Sequence, residues 1–457
     1  MLEKNNENKI DLGSGNIGKL IFTLAIPAII AQIVSVLYNI INRMFIGHIE
    51  NVGTLALTGV GVCFPILILV YAFAALTSMG GAPRAAIMLG KKDKDSAEKI
   101  LGSCTIGTII SGIILTIVIL MFGERLLFLF GASTATIEYA LSYLRVYSLG
   151  IVFIQIAIGI NTFIMAQGFA ITGMISILIG AILNMILDPI FIFVLGMGVK
   201  GAALATVASQ FLSALWVLYF LNSKKSYIKI KKEYLKIDLK IYLPCLLLGL
   251  SPFVMQVTES AIAIIFNSSL LKYGGDIAVG SMTILNIILQ FYTMPIQGFT
   301  QGAQPVISFN YGAGKADRVK KAFLFQIVIC TLYSLILWCL TMFLPTVLIS
   351  LFTSDVALIT YTQWSIKIYM AVMFLIGIQI SCQQTFVALS NAKVSLFLAI
   401  FRKLVLLIPL ILILPKLITN NVLGVFLAQP VTDIIAVSVT VILFIIEVRK
   451  TLREIKE

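Results

Sequence analysis

Apolar residues run along this chain in long stretches that are separated by short polar segments. About twenty apolar residues in a helix cross the ~30 Å hydrocarbon core of a bilayer. Because lipid cannot pair with backbone polar groups, helices are expected in these stretches. The pattern therefore predicts an all-α integral membrane protein with twelve transmembrane helices. The predicted spans are residues 17–45, 54–80, 100–122, 137–166, 173–195, 201–222, 241–270, 277–303, 320–343, 357–388, 395–417 and 422–447.

A repeat of 222 residues divides these spans into two sets of six. Residues 78–99 align with residues 300–321 without gaps, so that Pro83 falls on Pro305. Six spans return the chain to its starting side, which predicts two parallel, pseudo-symmetric copies, a plan found among secondary transporters. The predicted units are a six-helix lobe at 1–222, a basic linker at 223–240 and a second six-helix lobe at 241–457.

Composition and the placement of charge agree with this topology. Hydrophobic residues make up 60% of the chain and charged residues 12%, against roughly a quarter in soluble domains. The net charge is +13, but 26 of the 33 Lys and Arg fall on the side of the N-terminus. This bias is the positive-inside rule, so both termini and the linker are expected in the cytoplasm and nucleic acid is not expected as a partner. The linker is expected either against anionic headgroups or as a solvated loop.

The residues of a soluble active site are missing from the sequence. The six cysteines lie in or beside apolar spans without a CxxC pair, and we expect buried thiols and no disulfide. His48 is the single histidine and cannot form a histidine metal site alone. The first 16 residues are polar, which disfavours a cleaved signal peptide. We therefore predict no enzyme, no catalytic residues and no cofactor.

One layer of polar residues is predicted in the outer half of the first lobe. Asn184 and Asp188 are four apart and share a helix face. Counting ~1.5 Å per residue from the helix ends places Thr206 and Asn42 at the same depth. Pro189 frees a backbone carbonyl at Met185. These oxygen ligands suit Na⁺ or a proton relay, although a network that merely orients helices is the alternative.

A second polar group is predicted near the middle of the second lobe. Glu259 lies ~20 Å from either end of its helix, and Asp433 lies at a similar depth. Charges at that depth are costly and are functional candidates. An acid flanked by glutamines suits a cationic amphiphile, whereas Arg402 and Lys403 are expected to reach the headgroups. The predicted flanking glutamines are Gln256, Gln290, Gln379 and Gln383.

Several motifs in order resemble the multidrug and toxic compound extrusion (MATE) family over nearly the whole chain. They include LYNIINRMFIG at 37–47, GGAPRAAIMLGKKDK at 80–94, LNMILDPIFIF at 183–193 and MPIQGFTQGAQPVISFNYGAGK at 294–315. The resemblance implies two lobes around a central cleft with alternating access. It also implies a monomer of the bacterial cytoplasmic membrane that exports organic, often cationic drugs by antiport with Na⁺ or H⁺.

The resemblance also assigns roles to individual residues. Asn184, Asp188 and Thr206 match the cation site of the family's first lobe, but Asn42 stands where the family usually has Asp. Pro27 matches the proline at which the first helix bends in some members. A lipid-linked oligosaccharide flippase of related architecture is the alternative function. Its cleft would be expected to carry several Arg or Lys that hold pyrophosphate.

Overall fold

The computed structural model describes residues 11–50, 52–352 and 354–454, apart from the side chain of Thr54. These residues form helices and no β-strand, which confirms the all-α class. The six cysteines are free thiols, and all of them except Cys339 are buried. The first ten residues, which belong to the segment predicted to hold no signal peptide, lie outside the described ranges.

The helices follow the predicted apolar stretches, and we number the spans 1 to 12 accordingly. Short helices lie at Lys232–Tyr234 and Pro345–Ser350. The bounds of the spans are Ile17–Gly47, Gly53–Gly90, Lys94–Leu129, Ile137–Leu149 with Ile151–Ala166, Ala170–Val194, Gly198–Asn222, the two parts of Leu239–Gly312, Ala316–Phe343, Val356–Tyr369 with Met373–Ala388, Ala392–Leu417 and Asn421–Glu454.

Spans 4 and 10 are bent, and spans 7 and 8 are joined end to end. In the described ranges nine helices are long and apolar enough to cross a membrane, and two bent pairs, at 63° and 51°, raise that number to eleven. Leu239–Gly312, at 74 residues, is far longer than one crossing requires. Gly275 has φ 66° and ψ −165° inside it, a conformation that suits glycine and ends span 7 there. Span 8 starts after this break.

The two bends occur at equivalent places in the sequence repeat. Span 4 bends at Gly150 and span 10 bends between Tyr369 and Met373. A bend leaves backbone carbonyls without their helical partners. At each of the two bends, a side chain of a neighbouring helix donates a hydrogen bond to such a carbonyl. Thr116 donates to the Ser148 carbonyl and Trp338 donates to the Ala371 carbonyl, each at 2.8 Å. Because Thr116 and Trp338 are 222 residues apart, the repeat extends to this contact.

Spans 2 and 8 meet at their ends through two glycines, which we call the glycine seal. A Cβ at Gly90 would lie 2.0 Å from the Phe309 carbonyl oxygen, and a Cβ at Gly312 would lie 1.9 Å from the Ile87 carbonyl oxygen. No side chain fits at such distances, so the two backbones touch. The two contacts are equivalent under the 222-residue repeat, and the seal therefore closes the space between the two halves at this end.

The linker is docked on span 3, and its placement against headgroups or in solvent stays a prediction. Lys231 forms an ion pair at 2.6 Å with the buried Glu98, and that bond raises the pKa of Lys231. Tyr234 donates to Asp95, and Ser103 donates to the Lys236 carbonyl at 3.0 Å. Sequence reasoning missed these contacts because it treated the lysines only as surface charge.

Candidate functional site

The structure brings the four residues of the predicted first-lobe layer together. Asn42 donates from Nδ2 to Asp188 Oδ2 at 2.9 Å. Asn184 donates from Nδ2 to Asp188 Oδ1 and to Thr206 Oγ1, at 3.3 Å each. All four side chains are buried. Spans 1, 5 and 6 thus meet around one carboxylate, and depth counting from the helix ends correctly predicted their proximity.

The layer is rich in oxygen atoms, and in the described ranges its acid has no cationic side chain as ion-pair partner. The described ion pairs do not include Asp188, whose hydrogen-bond donors are neutral amides. Asn184 Oδ1 is buried and has no hydrogen-bond partner. After Pro189 the chain forms a π-helix at Ile190–Val194, which alters backbone pairing next to the carboxylate. A carboxylate and an unpaired amide oxygen fit Na⁺ or a proton.

Tyrosines that were not predicted from the sequence lie beside this layer. Tyr143 has its hydroxyl beside Thr206, and Tyr38 lies near both Asp188 and Tyr71. Tyr143 and Tyr147 stack with ring centroids 5.8 Å apart. Tyr143 and Tyr147 are four residues apart and therefore share one helix face. That spacing was the signal available in the sequence.

A central cavity of about 410 Å³ lies between spans of the two halves, next to the glycine seal. Span 2 lines it as far as Ala86, and span 8 as far as Ser308, each four residues before its seal glycine. The polar lining is mainly amide. Besides Gln256, which was predicted, it contains Gln32, Gln297, Gln301, Gln304 and Gln384.

Glu259 faces this cavity, and its side chain is 65% exposed. The prediction of a buried acid was wrong, because the depth along a helix does not show that a cavity reaches the residue. Lys403 pairs with Glu259 Oε2 and donates to the Met255 carbonyl at 2.7 Å. The lysine is itself only 9% exposed.

Arg402 pairs with Asp433, so the expectation that Arg402 and Lys403 reach the headgroups was also wrong. Arg402 donates from Nε and Nη2 to Asp433 Oδ1 at 3.1 and 2.8 Å, and Gln429 donates to Oδ2 at 2.9 Å. Span 11 begins at Ala392, so Arg402 lies ~15 Å along it. At that depth a guanidinium pairs with an acid more readily than it reaches water.

The predicted glutamines do not form one group. Gln379 and Gln383 line a small void of about 20 Å³ beside Arg402 and Lys403, rather than the central cavity. Gln383 donates to Ser251 Oγ at 2.9 Å. Gln290 is exposed and lies outside both spaces, seven residues before Gln297 on the same face of span 8.

In the described ranges no three residues among His, Cys, Asp and Glu gather as a metal site. Pro27 is buried within span 1, which continues as a helix from Ile17 to Gly47. Whether that helix bends there in another state stays a prediction.

Comparisons with known proteins agree with this architecture. The MatE family profile matches residues 27–190 and 252–413, which together are more than half of the chain. Multidrug export protein MepA of Staphylococcus haemolyticus (strain JCSC1435) is 26% identical over 425 residues, 92% of each chain.

Solved structures are similar along nearly the full length. A structure described as MATE in the bent conformation has a TM-score of 0.91 and 26% identity, and the match covers 98% of both chains. Another, described as the outward-facing conformation of a multidrug resistance MATE family transporter, has a TM-score of 0.88 and 25% identity, over 98% of this chain and 99% of that one. The chain therefore belongs to the MatE family, the multidrug and toxic compound extrusion transporters.

Proposed function

We propose that this protein exports organic compounds from a bacterial cytoplasm by antiport with Na⁺ or H⁺. The observation that carries the proposal is the pairing of two sites: a buried carboxylate without a cationic partner at Asp188, and a cavity large enough for a drug-sized ligand between the halves. Two sites that favour different conformations are what coupled transport requires. The MepA relatives, described as multidrug export proteins, support the same reading.

The halves act as two lobes, 1–222 and 241–457, joined by the linker 223–240. The repeat-related contacts of the glycine seal support this division, as does the match of the family profile to both halves. With both termini in the cytoplasm, the seal lies on the cytoplasmic side and the described state opens outward. The similarity to a transporter described as outward-facing supports that assignment.

A flippase for lipid-linked oligosaccharides fits the cavity less well. Pyrophosphate recognition calls for several Arg or Lys. Among the residues described around the cavity, Lys403 is the one cation, and it is paired with Glu259. A lining of amide groups and apolar side chains suits a drug better than a charged pyrophosphate group.

Drug efflux from membrane vesicles tests the proposal. In inside-out vesicles, dye should accumulate when a Na⁺ gradient or a pH gradient is imposed separately, and the gradient that drives uptake identifies the coupling ion. Vesicles from cells with an empty vector provide the background. Uptake that equals this background under both gradients would reject antiport.

Cysteine labelling is expected to place the linker and the loop before span 4 on opposite sides. Lys232→Cys should react with a membrane-impermeant maleimide only in inside-out vesicles, and Ser133→Cys only in intact cells. The basis is the excess of Lys and Arg on the linker side. Native cysteines are replaced beforehand. Reaction of both positions from one side would overturn the topology.

Asn42→Asp is expected to preserve coupling and to shift it toward protons. The new carboxylate would lie within hydrogen-bond distance of Asp188, where Asn42 now donates at 2.9 Å. Two carboxylates this close share a proton more readily than either ionises alone. The measurement is dye export under a pH gradient without Na⁺, with Asn42→Ala as the control that removes the amide without adding charge. A variant as inactive under both gradients as Asn42→Ala would contradict this expectation.

A further inference from the structure

The charges that line the central cavity cancel each other. Around the cavity the described residues include two charged side chains, Glu259 and Lys403, and the remaining polar lining is mostly glutamine. A cleft with an isolated carboxylate would attract monocations by its charge. The formal charges of Glu259 and Lys403 sum to zero, so the net charge of the cavity does not favour monocations.

Lys403 is held firmly at its position beside Glu259. Its ammonium donates to Glu259 Oε2 and to the Met255 carbonyl, which leaves one of its three protons. The void of about 20 Å³ next to it has room for roughly one water molecule and not for a lysine side chain. The neighbouring Asp433 is already engaged by Arg402 and Gln429. Among the acids described in these two pairs, the ammonium therefore has no free carboxylate to move to.

Glu259 offers the central cavity a carboxylate oxygen that Lys403 does not engage. Its side chain is 65% exposed there, and the described hydrogen bonds and ion pairs engage Oε2 and not Oε1. A ligand in the cavity thus meets a carboxylate oxygen next to an ammonium. That pair of groups is complementary to a molecule that carries a cation and an anion close together, because each charge of the ligand finds an opposite partner.

We propose that Lys403 is a specificity-determining residue that makes the cavity select zwitterionic organic compounds over monocations. The inference rests on the proposed export function and names its substrate class. A monocation at Glu259 must compete with a tethered ammonium, while a zwitterion satisfies both members of the pair. Removal of the ammonium leaves a free carboxylate and reverses the preference.

Two rhodamines that differ in one charge test this selectivity. Rhodamine 123 is a monocation, and rhodamine 110 is the same fluorophore with a free carboxylate in place of the methyl ester. Fluorescence anisotropy on purified protein in nanodiscs gives both Kd values. We expect wild type to bind rhodamine 110 more tightly. In Lys403→Met we expect rhodamine 110 to weaken about tenfold and rhodamine 123 to gain about tenfold.

Three further variants separate specificity from structure. Lys393→Met removes the same charge from an exposed lysine of span 11 and should bind both dyes as wild type does. Lys403→Arg should keep the wild-type order of affinities. The double variant Glu259→Gln/Lys403→Met has no charge left and should bind the two dyes with similar affinity, and it remains informative if Lys403→Met does not fold.

The outcomes distinguish this inference from the proposed function. If wild type exports neither dye from vesicles and binds neither, the export function itself is rejected. If wild type binds or exports them and neither the Lys403→Met nor the double variant changes the ratio of the two affinities, Lys403 has a structural role only and this inference is rejected. Tighter wild-type binding of rhodamine 123 would reject it as well.

Discussion

Asp188→Asn is expected to abolish ion-driven efflux while the protein still folds and inserts. The substitution keeps the shape of the side chain but removes the formal charge of the layer formed with Asn42, Asn184 and Thr206. A charge at this depth costs about 3 kcal/mol. If a bound cation offsets that cost in Asp188, its loss in the variant corresponds to roughly a hundredfold in ion affinity. The measurement is dye accumulation in inside-out vesicles under the driving gradient. Dye binding to purified protein should persist because Asp188 does not line the cavity.

Asp276→Asn is the matched control, since it removes the same charge from an exposed aspartate beside the Gly275 break. It should transport as wild type does. If the layer only orients helices, Asp188→Asn would lower thermal stability and leave the dependence of transport on the ion gradient unchanged. Unaltered drug resistance in cells that express Asp188→Asn would show that Asp188 does not take part in ion coupling.

Sequence reasoning located the first-lobe layer because its members are fixed by helix geometry. The rise per helical residue is constant, and the ends of the helices could be placed from the sequence. The depths of the four residues, Asn42, Asn184, Asp188 and Thr206, could therefore be counted. Asn42 and Thr206 lie within continuous helices, and Asn184 and Asp188 lie in the α-helical part of span 5, before its π-helix. Residues that were predicted at equal depth on neighbouring helices are in contact in the structure. The prediction needed no knowledge of tertiary packing.

The second-lobe site could not be predicted in the same way. Lys403 and Arg402 are long side chains whose partners depend on which helices lie opposite, and a π-helix at Phe401–Leu407 changes the directions in which they point. The exposure of Glu259 depends on a cavity, which is a property of both halves together. Gln290 was grouped by depth alone, although it lies outside the cavity. Depth identifies candidates, but packing decides their partners.

If the protein works by the alternating access that we propose, the glycine seal must open. Gly90 and Gly312 hold the ends of spans 2 and 8 in backbone contact, directly below the cavity residues Ala86 and Ser308. A substrate that enters from that end must pass between these helices. The residue at each contact therefore controls how stable the sealed state is relative to the open one.

Gly90→Leu is expected to open the seal and to reduce export at least tenfold. A Cβ at this position would lie 2.0 Å from the Phe309 carbonyl oxygen, and backbone cannot yield as a flexible side chain can. An overpacking cost of about 3 kcal/mol shifts the ratio of sealed to open protein by roughly a hundredfold. The measurement is maleimide labelling of Ser308→Cys from the linker side, in a background without native cysteines. Ser308 is buried in the sealed state, so labelling should appear only in the variant.

Gly61→Leu is the control on the same helix, because a Cβ at Gly61 would meet nothing within 4 Å. It should leave both labelling and export unchanged. Rhodamine binding distinguishes an open seal from a damaged protein, since the cavity residues Glu259 and Lys403 are untouched in Gly90→Leu. Binding retained with labelling at Ser308→Cys indicates a shifted equilibrium between intact states. Export at the wild-type rate with Ser308→Cys still protected would show that the contact at Gly90 does not govern access.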